Sequence, residues 1–256
     1  MNEAEKEPEY SSNSELNEYT FDNFIVGESN KFAHDVAFAV AEGRNNQFYN
    51  PLFIYGESGL GKTHLLHVIR HLATQKYPNR NALYVTGNDF VDDLMSCILQ
   101  DKGKEFREKY SSPDILLMDD IQYLVGKPTI QQELLYIYNT LRERDKQIII
   151  TSDKPVSEMY HVVDALRTRF ISGIQVQMNP PDKALRIAII NHIAKSFHVV
   201  LPYETVNCFA DNLDSNIRQL EGAVKMTIAY KSLNDKDIDI EFAKIVVSMS
   251  KNENCS

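Results

Sequence analysis

One short segment, Gly56-Glu-Ser-Gly-Leu-Gly-Lys-Thr63, constrains the fold of this chain more than any other. It has the pattern G-x-x-x-x-G-K-[ST], whose glycines let backbone N–H groups turn inward around phosphate oxygens. An apolar run at 51–55 precedes the segment, and an apolar pattern of helical period follows it at 63–76. The amino terminus of such a helix favours a bound anion. The segment therefore predicts a phosphate-binding loop between a strand and a helix.

The pattern predicts that consecutive residues of this loop bind a nucleotide. A lysine at this position reaches the β- and γ-phosphates, and the hydroxyl that follows it helps to hold Mg²⁺. We therefore expect Lys62 to bind the terminal phosphates and Thr63 to be a metal ligand. The residues expected to form this part of the site are Gly56, Glu57, Ser58, Gly59, Leu60, Gly61, Lys62, Thr63 and His64.

Apolar runs alternate with helical patterns through the first two thirds of the chain. The runs are continuous, as in strands that are buried on both faces, and they lie at 51–55, 81–86, 114–118, 147–151 and 173–178. Helical patterns lie between them at 63–76, 90–99, 104–110 and 130–144. This alternation predicts an α/β domain over 19–179 that is built on a doubly wound parallel sheet.

The alternation of apolar runs and helical patterns ends at Pro180-Pro181. No further strand is predicted, and helices are expected at 182–196, 203–212, 215–230 and 240–248. Asp182 and Ser215 are suited to cap two of them, because a short side-chain oxygen accepts from a free helix N–H. We therefore expect a small all-α domain over 180–256, which ends in a short tail.

Charge is concentrated at the amino terminus. Residues 1–18 contain six glutamates and one lysine with a single strong hydrophobe, and they are expected to form a disordered acidic tail that solvates or tethers the protein. The whole chain carries a formal charge of −9, which disfavours a large sequence-independent DNA-binding surface. No apolar run is long enough to span a membrane. Three cysteines without a C-x-x-C pair fit a reduced, cytoplasmic location.

Acidic residues follow the third apolar run. Asp119 and Asp120 are expected at the carboxyl edge of the parallel sheet, where ligands bind. In this position Asp119 would complete the Mg²⁺ shell with Thr63, and Asp120 would polarise the attacking water. The fourth run ends in Thr151-Ser-Asp153, which is either a polar contribution to the same edge or a capped turn.

Two further segments contain arginines with more than one possible role. Arg167 and Arg169 precede the fifth run, where they are either surface charges or the source of an arginine finger for a neighbour's γ-phosphate. Arg218, in the helical part, is placed to bend back onto a nucleotide.

These motifs in this order resemble the AAA+ family, and within it the DnaA-type bacterial replication initiators. The sequence resembles that of the DnaA-type initiators throughout residues 19–249. The segments that carry the resemblance are Tyr19-Thr-Phe-Asp-Asn-Phe-Ile-Val-Gly27, Asn50-Pro-Leu-Phe-Ile-Tyr-Gly56, Gly61-Lys-Thr-His-Leu-Leu-His67, Leu116-Leu-Met-Asp-Asp-Ile-Gln122 and Asn216-Ile-Arg-Gln-Leu-Glu-Gly222.

The resemblance implies ATP or ADP with Mg²⁺ as ligands and adds roles to single residues. Asp119 and Asp120 form its Walker B motif, Asp153 its sensor 1, Arg169 its arginine finger and Arg218 its sensor 2. The family holds adenine near the positions of Ile25 and Val26. Helices at 90–110 are similar to an insertion that lets ATP-bound subunits form an open helix, with single-stranded DNA near Met95 and Lys127.

Departures from the family pattern qualify these expectations. No helix-turn-helix segment follows residue 249, so we expect no sequence-specific duplex binding by this chain alone. Ala165 stands where an arginine is usual, Thr129 where a basic residue is usual, and Gln219 where a glutamate is usual. The substitution at Thr129 is expected to weaken single-strand binding.

The sequence favours an ATP-binding AAA+ protein that acts in bacterial replication initiation or its regulation. Hydrolysis is expected to be slow, because Asp120 has a shorter reach than the usual glutamate, and to require assembly, because Arg169 acts on a neighbour or a DnaA-type partner. Two alternatives remain open. One is a helicase-loader-type ATPase; the other is a largely non-catalytic protein that joins and inactivates a full-length initiator filament.

Overall fold

A computed structural model describes residues 19–44, 47–213, 216–234 and 238–252. The α/β part begins with α1 and alternates strands with helices. Its elements are α1 (Lys31–Ala41), β1 (Leu52–Tyr55), α2 (Lys62–Lys76), β2 (Ala82–Thr86), α3 (Gly87–Leu99), α4 (Gly103–Ser111), β3 (Ile115–Asp119), α5 (Pro128–Glu143), β4 (Gln147–Ser152), α6 (Asp164–Ile171) and β5 (Ile174–Gln177). The sequence analysis did not identify α1, although Ala33, Val36, Ala37 and Val40 are buried at helical spacing.

The five strands form a parallel sheet in the order β2-β3-β4-β1-β5. This confirms the predicted α/β class. Because β1 lies beside β4, and β4 lies beside β3, the phosphate-binding loop and the end of the acidic strand meet at one edge of the sheet.

The two faces of the sheet are covered by separate apolar cores. Successive residues of a strand point to opposite faces, so Phe53 packs in one core and its neighbours Leu52 and Ile54 pack in the other. Every residue of β3 and β4 is buried, as the continuous apolar runs predicted. The same expectation was wrong for β5: this strand lies at the edge of the sheet, and Gln175 and Gln177 are exposed.

Four helices follow the sheet and pack around a third core, and we refer to them together as the lid. They are α7 (Lys183–Ser196), α8 (Tyr203–Asn212), α9 (Ile217–Asn234) and α10 (Ile240–Asn252). Asp182 caps α7, as predicted, because its side chain accepts from the backbone N–H of Leu185 at 2.7 Å. Ser215 lies outside the described residues, as does the acidic segment 1–18; next to α9, Asn216 Oδ1 accepts from the N–H of Gln219 at 2.8 Å.

No helix among the described residues is both long and apolar enough to cross a membrane.

Candidate nucleotide-binding site

The phosphate-binding loop connects β1 to α2 and has a conformation that depends on glycine. Gly59 and Gly61 adopt φ values of 81° and 96°, which lie in the left-handed region. Leu60, between them, is buried in the core and anchors the loop. The Lys62 ammonium folds back over the loop and donates to the carbonyl oxygens of Gly56 at 2.7 Å and Glu57 at 2.8 Å. These two bonds stabilise the conformation of the loop.

Lys62 is buried beneath the loop. Burial lowers the pKa of its ammonium from the ordinary value, and the nearby carboxylates of Asp120, Asp119 and Asp153 act in the opposite direction. These three acids are the negative charges that face Lys62 across the site. Their attraction favours the charged ammonium that a phosphate group requires.

The carboxylate of Asp119 is the centre of a network of hydroxyl groups. Its Oδ2 accepts from Thr63 Oγ1 at 2.7 Å and from the Tyr84 hydroxyl at 3.0 Å, and its Oδ1 accepts from Thr151 Oγ1. The carboxylate is buried, with 2% of the residue exposed. A threonine hydroxyl beside an aspartate carboxylate offers the hard oxygen ligands that Mg²⁺ prefers. The pair Thr63 and Asp119 therefore fits the metal that the sequence predicted.

Asp120 and Asp153 lie on neighbouring strand ends and are connected through Gln122. Asp120 has a φ of 55°, and its N–H donates to Thr151 Oγ1 at 2.9 Å. Gln122 Nε2 donates to Asp120 Oδ1 at 2.9 Å, and Gln122 Oε1 accepts from the N–H of Asp153 at 3.3 Å. In the Thr151–Asp153 segment, Thr151 is the residue whose side chain bonds to Asp119. Thr151 thus makes a polar contribution to this edge of the sheet, which was one of the two roles considered for its segment, whereas sequence analysis assigned no role to Gln122 or Tyr84.

The lid touches the loop at two points. The Arg218 guanidinium donates to Ser58 Oγ at 2.9 Å, and the N–H of Ile217 donates to the carbonyl oxygen of Gly59 at 2.8 Å. A Cβ atom on Gly59 would lie 2.8 Å from the Asn216 side chain, so a side chain there would push the lid away. Arg218 is thus brought to the loop, and its contact with a nucleotide stays a prediction.

A cavity of about 270 Å³ lies between the loop and the lid. Its walls carry the cations, hydroxyls and carboxylates expected of a phosphate and metal site, and its lining residues are Tyr19, Ser58, Gly59, Gly61, Lys62, Thr63, His64, Asp120, Ile217, Arg218 and Glu221.

A second cavity, of about 560 Å³, shares five of these residues and extends between the segment before α1 and the lid. The shared residues are Tyr19, Gly61, His64, Ile217 and Glu221.

Of the two residues expected near adenine, Ile25 lines this larger cavity and packs against the lid core. Val26 lines a separate cavity with Phe21 and His34. The structure therefore brings Ile25, but not Val26, to the space beside the phosphate-binding loop.

His64 lies where the two cavities meet, and its Nε2 is buried without a hydrogen-bond partner among the described residues. Its ring packs edge-on against Tyr19 and Phe24. Burial, with smaller contributions from His67 and His192, lowers the pKa of His64 from 6.5 to about 4. His64 is therefore neutral in the folded protein at neutral pH.

This burial predicts a loss of stability in mild acid. Below pH 6.5 the unfolded chain protonates His64 while the folded chain does not until about pH 4, so the free energy of unfolding should fall across that interval. The difference corresponds to about 3 kcal/mol. Chemical denaturation from pH 7 to pH 4 should show a shallower decline for His64→Gln than for wild type. His71→Gln, on the same helix, controls for the loss of one histidine, and equal slopes for wild type and His64→Gln would contradict the assignment.

Three other predicted site residues lie away from both cavities. Arg169, on α6, is exposed, and its Nε donates to Asn139 Oδ1 at 3.1 Å. It lines neither cavity of its own chain. Met95, on α3, is 52% exposed, and Lys127 is exposed immediately before α5.

The fold and this site define a P-loop nucleotide-binding protein of the AAA+ type, in which a lid arginine faces the phosphate loop. The model of the bacterial DnaA ATPase domain matches residues 16–177, and the chain belongs to that family.

Solved structures agree with this membership. Domain III of the Thermotoga maritima replication initiation protein DnaA is 40% identical over 90% of this chain and 96% of that chain, with a TM-score of 0.86. A replication initiator DnaA bound to AMPPCP and single-stranded DNA is 37% identical over 82% of this chain, with a TM-score of 0.76. This chain covers 65% of that longer initiator. The DnaC helicase loader is 17% identical over 64% of this chain, with a TM-score of 0.55, and shares the fold alone.

Proposed function

We propose that this chain binds ATP or ADP with Mg²⁺ and acts in the initiation of chromosomal replication or its regulation, through ATP-dependent assembly and slow hydrolysis. The observation that carries the proposal is the convergence of Lys62, Thr63, Asp119 and Arg218 at one end of the sheet. Family membership and a DnaA neighbour that binds AMPPCP support an adenine nucleotide as the ligand. We place the boundary between the nucleotide-binding domain and the lid domain at residues 179 and 180.

In this proposal each group of the site has one task. Lys62 leaves the carbonyl oxygens of the loop and binds the terminal phosphates, and the loop N–H groups bind the remaining phosphate oxygens. Thr63 and Asp119 hold Mg²⁺, which supplies charge neutralisation to the phosphates when bound. Asp120 orients the attacking water, Asp153 senses the terminal phosphate, and Arg218 contacts it from the lid. Ile25 and His64 lie beside the base.

Slow hydrolysis follows from two features of the site. Asp120 is held by its hydrogen bond to Gln122 at 2.9 Å, and its carboxylate is one methylene shorter than the glutamate of vigorous AAA+ motors. Arg169 is exposed and remote from the cavities of its own chain, so it serves the site of a neighbouring copy or of a DnaA-type partner. ATP then acts as a switch that promotes assembly rather than as fuel.

Single-stranded DNA is the nucleic acid that we propose as a partner. A related initiator binds it, and the exposed side chains of Met95 and Lys127 are free to contact a strand along an assembly. Thr129 lacks the charge that would strengthen each contact, so binding should be weak and sensitive to salt.

The alternatives have less support. The likeness to a helicase loader is confined to the fold, whereas family membership and 40% identity favour the initiator class. A purely non-catalytic partner would not need a threonine and an aspartate poised for a metal beside a buried lysine.

A melting experiment tests the central claim. Saturating ATP with Mg²⁺ should raise the melting temperature, because a ligand that binds only the folded state stabilises it. At a hundredfold excess over Kd the gain is about 2.7 kcal/mol. GTP at the same concentration is the control for base recognition. An unchanged melting temperature in saturating ATP would refute nucleotide binding.

A further inference from the structure

The hydroxyl of Tyr84 is the one partner of Asp119 Oδ2, among those described, that lies outside the phosphate-binding loop. Thr63 and Tyr84 both donate to this oxygen, at 2.7 and 3.0 Å, while Thr151 donates to Oδ1. A buried carboxylate needs such donors, because it has lost its contacts with water. The three hydroxyls together fix the plane and the direction of the Asp119 carboxylate.

With Mg²⁺ bound, Thr63 would have a second task in this network, because its hydroxyl oxygen would be a metal ligand as well as a partner of Asp119. Tyr84 and Thr151 would need no such change, because neither is a loop residue. Each would go on holding one oxygen of the Asp119 carboxylate.

The ring of Tyr84 is itself held in place. It lies on β2, next to the strand that carries Asp119, and its centroid is 4.5 Å from the imidazole of His67 on α2. His67 in turn lies 5.0 Å from the ring of Tyr19, which lines the phosphate cavity. The donor is therefore held in a fixed orientation.

We propose that Tyr84 is a positioning residue for the metal site: its hydroxyl holds Asp119 in the orientation that binds Mg²⁺ and so sets the Mg²⁺ affinity of the ATP-bound protein. This assignment rests on the proposed function. Groups that orient a metal ligand from behind typically contribute 10- to 100-fold to metal affinity.

The test compares Tyr84→Phe with wild type by melting temperature at fixed ATP in a Mg²⁺ titration, and again with ATP and EDTA. Tyr84→Phe keeps the ring and its contact with His67, and removes only the hydroxyl. We expect the Mg²⁺ concentration at the midpoint to rise about tenfold. The shift produced by ATP in EDTA should stay the same. Tyr77→Phe is the matched control, because it removes a hydroxyl that donates to Glu42 O at 3.0 Å, remote from the metal ligands.

Each outcome decides the proposal. An unchanged Mg²⁺ midpoint in Tyr84→Phe overturns it, and so does an equal loss of the ATP effect in Mg²⁺ and in EDTA, which would indicate a packing role. If Tyr84→Phe does not fold, Tyr84→Leu removes the same hydroxyl, and the same Mg²⁺ shift is expected. A wild type that does not respond to ATP in either condition refutes the proposed function instead.

Discussion

Lys62→Ala should remove most of the stabilisation that ATP gives to the folded protein. The Lys62 ammonium is the buried cation of the loop, and it donates to the carbonyl oxygens of Gly56 and Glu57. Loss of charge-assisted bonds worth about 3 kcal/mol weakens binding by roughly a hundredfold. At an ATP concentration of a hundred times the wild-type Kd, the stabilisation then falls from about 2.7 to about 0.4 kcal/mol.

Calorimetric melting with and without ATP measures this loss directly. Lys76→Ala is the control, because Lys76 lies at the other end of α2 and pairs with Glu42 at the surface. The melting temperature of each variant without nucleotide separates lost binding from lost stability. A Lys62→Ala protein that ATP stabilises as strongly as wild type would show that the loop does not bind phosphate through Lys62.

Arg169→Ala should abolish assembly-dependent hydrolysis and leave ATP affinity intact. Arg169 lines neither cavity of its own chain, so its removal takes nothing from the bound nucleotide of an isolated copy. In an assembly it would stabilise the charge on the transferring phosphoryl group of the neighbour, an effect worth about 10³-fold or more in related reactions. Turnover per chain should therefore rise with protein concentration in wild type and stay flat in the variant.

Steady-state hydrolysis over a concentration series, with sedimentation in ATP and in ADP, tests both parts. Arg144→Ala removes another exposed arginine and is the charge-matched control. The same concentration-dependent turnover in wild type and Arg169→Ala would exclude a role in trans. A large change in ATP affinity would place Arg169 in its own site instead.

The parts of the site that lie within one segment were predictable from sequence. The loop from Gly56 to Thr63 carries its strand, its glycines and its helix in one stretch, and Asp119 ends a run of apolar residues that only a buried strand explains. The lid arginine was predictable from the family resemblance, and the structure places it on Ser58.

The remaining contacts depend on which strands are neighbours. Tyr84 is in the middle of β2, Asp119 ends β3 and Thr151 is the residue before the last of β4. These strands lie side by side in the order β2-β3-β4, and the local sequence of each gives no sign of the contacts between them. Gln122 belongs to the segment Leu116–Gln122 that carries the family resemblance, but its hydrogen bonds could not be predicted from that segment alone. Its bonds to Asp120 and Asp153 form because the turn after β3 faces the end of β4. Val26 lines a different cavity from Ile25, because successive side chains of the irregular segment before α1 point to different sides, and its place near adenine stays a prediction.

Among the described residues, one backbone hydrogen bond, from the N–H of Ile217 to the carbonyl oxygen of Gly59, joins the start of α9 to the phosphate loop, next to the Arg218–Ser58 contact. The 18 residues of α9 begin at this point, which gives the helix a length of about 27 Å. A tilt of about 10° at this point moves the far end by roughly 5 Å, more than the width of a methyl group. A small adjustment of the loop around a phosphate would thereby be enlarged at the far end of α9.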